Sequence, residues 1–390
     1  MKHYRYLIIG GGMTAASAVE GIRQVDAEGA IGLVGSEEHP PYKRPPLTKG
    51  LWAGKPVDSI WMKADQPGVE LHLGRRILSL EPDPKLAVDD HGEVYGYERL
   101  LLATGGVPRR LPQRVEGIIY YRTFDDFEKL HNPQAPSVPV AVIGGGFIGA
   151  EIAASLAANG RMVTMIFPEE GIGRRLFPRD LSLFLNDYYR ERGVEVLPGE
   201  LVQELEGREG DYLLRTDGGR ALQAGQVVAG LGILPNVELA ETAGLQVENG
   251  VVVDEKLRTS SPDIFAAGDV AAFYNPALKK RLRVEHADNA LTMGRTAGQN
   301  MAGADRPYEH LPFFYSDLFD LGYEAVGELD SRLEVRADWQ EPFRKGVLYY
   351  LEGNRVRGVL LWNVWDQVDA ARRLIGEPEP AGELSGLLPA

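Results

Sequence analysis

Tyr6-Leu7-Ile8-Ile9-Gly10-Gly11-Gly12 and Val140-Ala141-Val142-Ile143-Gly144-Gly145-Gly146 are one construction written twice: a short apolar run, then three glycines. An unbroken run of this kind, closed by a turn signal, reads as a strand buried on both faces. Small residues follow each time, Met13-Thr14-Ala15-Ala16-Ser17-Ala18 in the first copy and Phe147-Ile148-Gly149-Ala150-Glu151-Ile152-Ala153 in the second. A helix of such residues packs closely on its strand. Strand, glycine turn and helix in this order form a dinucleotide-binding βα unit, and two copies predict two such sites.

Glycine is required because the chain must turn sharply, its backbone must approach a pyrophosphate with no Cβ between, and the helix must sit tight on the strand. Gly10, Gly12 and Ala15 occupy the fingerprint positions of the first copy, and Gly144, Gly146 and Gly149 those of the second. The unpaired N–H groups of each helix N-terminus then face the phosphates. An acidic residue stands about 20 residues on in each copy: Glu37 after Gly-Leu-Val-Gly-Ser, Glu169 after Met-Ile-Phe-Pro. A carboxylate there accepts hydrogen bonds from the two hydroxyls of an adenosine ribose.

With 390 residues, 44 % of them hydrophobic, the chain is long enough for two or three domains with real cores. No apolar run approaches the roughly 18 residues needed to cross a bilayer. The chain enters a strand at once, with no signal or transit segment, so a cytoplasmic protein is expected. It contains no cysteine. That excludes a redox-active disulfide, a reactive thiol and cysteine-ligated metal clusters, so a flavin would have to pass its electrons directly to an outside acceptor. No metal site is expected. The formal net charge of −14 argues against nucleic acid and anionic membranes as partners.

The two copies continue in parallel. Gly68-Val69-Glu70 through Gly74 matches Gly193-Val194-Glu195 through Gly199, and the turn signals Asp90-His91-Gly92 and Asp217-Gly218-Gly219 come next. Leu100-Leu101-Leu102-Ala103-Thr104-Gly105-Gly106 and Val227-Val228-Ala229-Gly230-Leu231-Gly232 are the closing strands. Ser261-Pro262-Asp263-Ile264-Phe265-Ala266-Ala267-Gly268-Asp269 reads as one more parallel strand of the first unit. Ligands lie at the carboxyl ends of such strands, so Asp269 is expected to reach the first site. The expected class is α/β, with two Rossmann-like dinucleotide-binding domains, the second inserted in the first, and an α+β C-terminal domain. The expected boundaries are 1–112 with 247–306, 113–246, and 307–390. Strands at 346–351 and 358–362 and a helix around Asp366 to Ile375 belong to the last, and the Pro, Gly and Glu-rich tail from Glu377 is expected to be loose.

Pro40-Pro41-Tyr42-Lys43-Arg44-Pro45-Pro46-Leu47-Thr48-Lys49 sets Arg44 and Lys49 in a proline-stiffened segment. Here the chain resembles the pyridine-nucleotide flavoprotein reductases, in the branch of the oxygenase-type ferredoxin reductases and apoptosis-inducing factor. The resemblance runs on through Ala103-Thr104-Gly105, Leu234-Pro235-Asn236, Ala266-Ala267-Gly268-Asp269 and Val284-Glu285-His286. Tyr315-Ser316-Asp317, Gly322-Tyr323-Glu324-Ala325-Val326-Gly327, Lys345-Gly346-Val347 and Leu361-Trp362-Asn363 resemble the apoptosis-inducing factor side.

The resemblance implies that Gly10, Gly12, Ala15, Glu37, Arg44, Lys49 and Asp269 hold FAD, and that Gly144, Gly146, Gly149 and Glu169 hold the nicotinamide dinucleotide. Thr104, Gly105 and Gly232 join them as cofactor-binding positions. It places Lys49 near flavin N5 with Glu151 as its partner, an arrangement that suits a buried cation and offsets the charge of a reduced flavin. It makes Phe147 a plate over the nicotinamide and puts His286 beside the isoalloxazine. Tyr315 stands where apoptosis-inducing factor has tryptophan, and its ring suits stacking on either cofactor. From the residues alone Lys49 reads first as a solvated loop lysine, and Phe147 could be a core phenylalanine at a helix start.

The implied reaction is hydride transfer from nicotinamide C4 to flavin N5, with the protein aligning the rings. Glu169 repels a 2′-phosphate and favours NADH over NADPH, whereas Arg174-Arg175 could grip that phosphate. The expected acceptor is a small electron-transfer protein, a ferredoxin or rubredoxin, met through a small interface. Quinone or oxygen is the alternative acceptor. The other reading is an NADH-sensing flavoprotein of slow turnover, like apoptosis-inducing factor, although only the short stretch Asp338 to Arg344 stands where that relative carries a long insertion. A monomer or homodimer is expected.

Overall fold

The computed structural model describes residues 1–131, 138–377 and 383–388. The chain divides into two compact units, each discontinuous in sequence. The first holds Met1–Lys43, Val57–Val107 and Leu234–Pro312, and the second holds Arg44–Pro56, Pro108–Ile233 and Phe313–Ala390.

In the first unit the apolar run becomes the strand Lys2–Ile9, flanked in parallel by Ile31–Val34 and Val94–Leu102, with Val69–His72 outside Ile31–Val34. Leu7 pairs with Gly32 on one side and Leu100 on the other. Leu7, Ile8, Leu100 and Leu101 are wholly buried, as strands covered on both faces require. Val94–Leu102 is shared between two neighbours along its other edge. Its first half pairs antiparallel with Leu86–Asp89, while Leu100–Leu102 pairs in parallel with Ile264–Ala266. The expected Gly-Asp strand therefore joins this sheet beside the closing strand.

The helix Met13–Arg23 packs on Ala287–Met301 with backbones nearly touching. A Cβ on Gly294 would lie 2.4 Å from the Thr14 carbonyl oxygen, one on Gly298 2.1 Å from that of Ala18, and one on Gly21 2.1 Å from that of Arg295. Three glycines thus set the crossing distance of these helices.

The second unit repeats the topology. Val194–Pro198, Val163–Phe167, Val140–Ile143 and Gln226–Ala229 form a parallel sheet in that spatial order, with Val140 opposite Val163 and Gln226. The third strand of each copy, matched in sequence at Val69 and Val194, takes the same outer place. A five-stranded antiparallel sheet belongs to the same unit, in the order Phe313–Leu318, Leu321–Gly327, Arg355–Trp362, Lys345–Glu352, Glu334–Glu341. Aromatic contacts join it to the second copy: Phe177 meets Trp362 and Tyr323 edge-on, and Tyr350 OH donates to the Leu176 carbonyl at 2.8 Å. Such pairs add about 0.5–1.5 kcal/mol each beyond the area they bury.

The proline-stiffened segment is anchored in this unit. Trp52 Nε1 donates to the Leu47 carbonyl at 2.9 Å, the buried Tyr121 hydroxyl donates to the same oxygen, and Ser155 Oγ donates to the Thr48 carbonyl at 2.6 Å. Leu47 and Trp52 are buried. Their apolar side chains account for the division of the chain at Lys43 and Arg44.

One expectation needs correcting. The tail beyond Glu377 is not loose where it is described: Leu384 and Leu388 are buried, Gly386 N–H donates to the Asp338 carboxylate at 2.7 Å, and Leu388 N–H to Tyr349 OH at 3.3 Å. Residues 378–382 and 389–390 of that tail lie outside the described residues; within 383–388 two leucines are buried, and burying one such side chain stabilises by about 1.5–3 kcal/mol.

Candidate functional site

The first glycine turn sits at the carboxyl ends of Lys2–Ile9, Ile31–Val34 and Val94–Leu102. Gly10 has φ +125°, and a Cβ there would lie 2.1 Å from the Ala103 carbonyl oxygen. No other residue fits without moving the closing strand. Gly12, the helix N-cap, is the opposite case: it has φ −96°, no side-chain cap, and nothing within 4 Å of where a Cβ would stand. A turn crowded at Gly10 and open at Gly12 leaves room beside an uncapped helix start, the kind of place where backbone N–H groups can meet a pyrophosphate.

Two of the expected acids follow strands of this same sheet. Glu37 follows Ile31–Val34 and accepts from Tyr42 OH at 2.5 Å. Asp269 is placed by Gly268, where φ is +79° and a Cβ would strike Thr14 Oγ1 at 2.3 Å, so the loop rides on the first turn of the fingerprint helix. Arg283 donates to the Asp269 carbonyl at 3.1 Å. Thr104 and Asn236 clasp each other, with Thr104 Oγ1 donating to the Asn236 carbonyl at 2.9 Å and Asn236 Nδ2 to the Thr104 carbonyl at 2.8 Å. Gly105, at φ +62°, accepts from Asn236 N–H. His286 is the N-cap of Ala287–Met301, and burial pushes its imidazole down to about 4 against the pull of Asp269 and Asp288. It is neutral near pH 7.

In the second unit a Cβ on Gly144, at φ +117°, would lie 2.4 Å from the Gly230 carbonyl oxygen, and one on Gly149 1.9 Å from that of Gly144. Gly146 repeats Gly12: it is an uncapped helix start with nothing within 4 Å. Phe147 is half-buried and meets Phe314 edge-on at 5.1 Å. Glu169 follows Val163–Phe167 and pairs with the largely exposed Arg175 at 2.8 Å, while Arg174 and Arg179 both bind Glu170 at 2.8 Å. The two arginines that sequence left ambiguous are therefore divided between two carboxylates. Gly232, at φ +81°, accepts from Arg109 N–H at 2.9 Å.

Lys49 and Glu151 are brought together as expected. Their side chains are 13 % and 7 % exposed, and the ammonium binds Glu151 Oε1. Two hydroxyls not anticipated as site residues complete the group. Thr48 Oγ1 donates to Oε2 at 2.5 Å and Ser316 Oγ to Oε1 at 2.6 Å. Both lie inside motifs quoted above, but the fingerprint alone does not say that either would turn toward Glu151. The Lys49 ammonium stands 5.3 Å from the centroid of the Tyr315 ring, a cation–π contact. Burial raises the Asp317 carboxyl pKa; Lys49 and Lys55 lower it, and Glu151 raises it further. Arg44, also expected at a cofactor, donates to the Arg122 carbonyl at 2.8 Å.

Among the described residues no cluster of His, Cys, Asp and Glu could hold a metal, and no helix is long and apolar enough to cross a membrane. Two glycine turns, each opening an uncapped helix, are the arrangement that dinucleotide binding uses. The chain belongs to the family described as pyridine nucleotide-disulphide oxidoreductase, whose model matches residues 4–294. With no cysteine it carries no disulfide of its own. The model for the C-terminal region of mitochondrion-associated apoptosis-inducing factor matches 297–339 and 334–377. Mitochondrial apoptosis-inducing factor 1 of Dictyostelium discoideum is 34 % identical, covering 96 % of this chain and 79 % of that protein. Rubredoxin-NAD(+) reductase of Pseudomonas putida is 31 % identical over 83 % of this chain and 86 % of its own length. The crystal structure of a covalent putidaredoxin reductase–putidaredoxin complex aligns with TM-score 0.89 and 29 % identity, over 97 % of this chain and 94 % of that one.

Proposed function

We propose that the chain oxidises NADH and passes the electrons through FAD to a small electron-transfer protein of the ferredoxin or rubredoxin kind. The observation that carries this reading is the pair of open, uncapped cradles at Gly12 and Gly146, one per unit. When bound, FAD and the nicotinamide supply the hydride chemistry. Gly10, Gly12, Ala15, Glu37, Arg44, Thr104, Gly105, Asp269 and His286 are assigned to FAD, and Gly144, Gly146, Gly149, Glu169 and Gly232 to the nucleotide. Phe147 and Tyr315 offer aromatic faces to the rings. Lys49, held by Glu151, would supply a fixed positive charge to offset the negative charge of a reduced flavin, and fixed charges in poorly hydrated places are the strongest kind of electrostatic help. No residue is required as a general base.

NADH is preferred because Glu169 is the first charge after Val163–Phe167 and Arg175 is already engaged in an ion pair with it. The acceptor class draws support from rubredoxin-NAD(+) reductase and from the putidaredoxin reductase complex among the similar proteins. The match to the apoptosis-inducing factor C-terminal region favours a second reading, a slowly oxidised NADH-binding flavoprotein with a binding role. Anaerobic reduction by NADH or NADPH, followed by mixing with ferredoxin, rubredoxin, quinone or oxygen, separates the two. Fast reoxidation by a protein acceptor supports the reductase. A long-lived reduced complex with every acceptor rejects it.

A further inference from the structure

We infer that Ser316 is a positioning residue for this reaction: together with Thr48 it fixes the Glu151 carboxylate, and through it the place of the Lys49 ammonium. The inference rests on the reading of Lys49 given above.

Glu151 is almost closed to water, so its lone pairs must be satisfied by protein. Three donors reach it from distant parts of the chain: Lys49 Nζ and Ser316 Oγ on Oε1, and Thr48 Oγ1 on Oε2. An ammonium on a four-carbon stem and a carboxylate on a two-carbon stem leave many rotamers open when they meet alone. The hydroxyls remove that freedom at the carboxylate end. Each hydroxyl is itself held. Ser316 is 1 % exposed and sits opposite the buried Tyr323 in the strand register, while the Thr48 backbone is tied to Ser155 on the helix that carries Glu151. Tyr315, next to Ser316 on the same strand, lies under the Lys49 ammonium. One strand thus fixes the carboxylate with one residue and offers the cation an aromatic face with the next. Packing alone would be served by alanine at position 316. A hydroxyl donating to a dry carboxylate is an electrostatic device.

The test compares Ser316→Ala with Ser316→Thr, which keeps the hydroxyl, in the FAD-loaded protein. In rapid mixing with saturating NADH the alanine variant is expected to reduce its flavin about tenfold more slowly, the usual scale for losing a hydrogen bond to a charged group, with the nucleotide Kd unchanged. The threonine variant stays near wild type. Before nucleotide is added, acetylation of Lys49, followed by peptide mass spectrometry, is expected to run several-fold faster in the alanine variant, as the cation is less confined. Thr48→Val probes the same carboxylate from its other oxygen should the buried alanine variant fail to fold, and is expected to show both effects. Wild-type rates and labelling in Ser316→Ala, or equal losses in the alanine and threonine variants with labelling unchanged, overturn the inference. Wild-type flavin that NADH fails to bleach overturns instead the reading beneath it.

Discussion

Glu151→Gln keeps the shape of the side chain and deletes its charge, leaving the Lys49 ammonium, 13 % exposed, without its bonded counter-ion and with only the through-space field of Asp317. Breaking a buried pair from one side costs about 3–5 kcal/mol. The lysine stem gives some relief, because it can move its head toward water, which sets the electrostatic part nearer 2–3 kcal/mol. Thr48 and Ser316 both donate to this group, and an amide offers one oxygen where the carboxylate offered two, so one hydroxyl loses its acceptor for about 1 kcal/mol more. The sum is roughly 3–4 kcal/mol, which in a unit of about 200 residues lowers Tm by some 6–16 °C. Calorimetry of the FAD-loaded protein reads it as a shift of the second unit's transition. A Lys49→Met, Glu151→Leu double variant removes both charges, and it is expected to recover part of the stability while flavin reduction by NADH stays slow. A Glu151→Gln protein that melts with wild type and reduces at the wild-type rate would refute the coupling of the pair. A double variant that reduces at full speed would refute the need for the cation.

The glycine turns give a paired prediction. Gly10→Ala drives a Cβ into the Ala103 carbonyl and is expected to destabilise the fold by about 1–3 kcal/mol, whereas Gly12→Ala meets open space, leaves the melting of the cofactor-free chain unchanged and weakens FAD retention on dilution. Glu169→Gln frees Arg175 and removes the repulsion of a 2′-phosphate, so the kcat/KM preference for NADH over NADPH falls at least tenfold in steady-state assays, corresponding to a change of about 1.4 kcal/mol. Burial holds the His286 imidazole down at about 4, below its ordinary 6.5. The unfolded chain therefore binds the extra proton between those values, so His286 penalises the fold progressively as pH falls from 6.5 toward 4, by at most about 3 kcal/mol. Denaturant titrations across that window are expected to show a shallower loss for His286→Gln than for wild type. Identical pH slopes would remove His286 from the account.

Local chemistry was readable directly. The crowded Gly10 and Gly144, the open Gly12 and Gly146, and the acids after the second strands are consequences of a short stretch of chain, and they fall where the motif puts them. Asp269 stands just beyond the carboxyl end of Ile264–Ala266, the place in the sheet that the Gly-Asp reading gave it. What stayed hidden depends on distance along the chain. Ser316 and Glu151 are 165 residues apart, and nothing in Tyr-Ser-Asp says which side chain will turn inward. Gly21, Gly294 and Gly298 look like ordinary helix glycines until two helices cross on them. The proline-stiffened segment reads as a loop of the first unit, but Leu47 and Trp52 take it into the second. At 383–388 composition predicted looseness, and two buried leucines hold the chain instead.

The central claim is that each glycine-tipped unit holds its own dinucleotide and that electrons pass from one to the other. Anaerobic rapid mixing of the FAD-loaded protein with NADH, followed at the flavin absorption band, tests it most directly. The account predicts complete bleaching with one FAD per chain, a rate that saturates with NADH, and much weaker reduction by NADPH. Protein that retains no flavin on reconstitution, or yellow protein that NADH leaves oxidised, would contradict it.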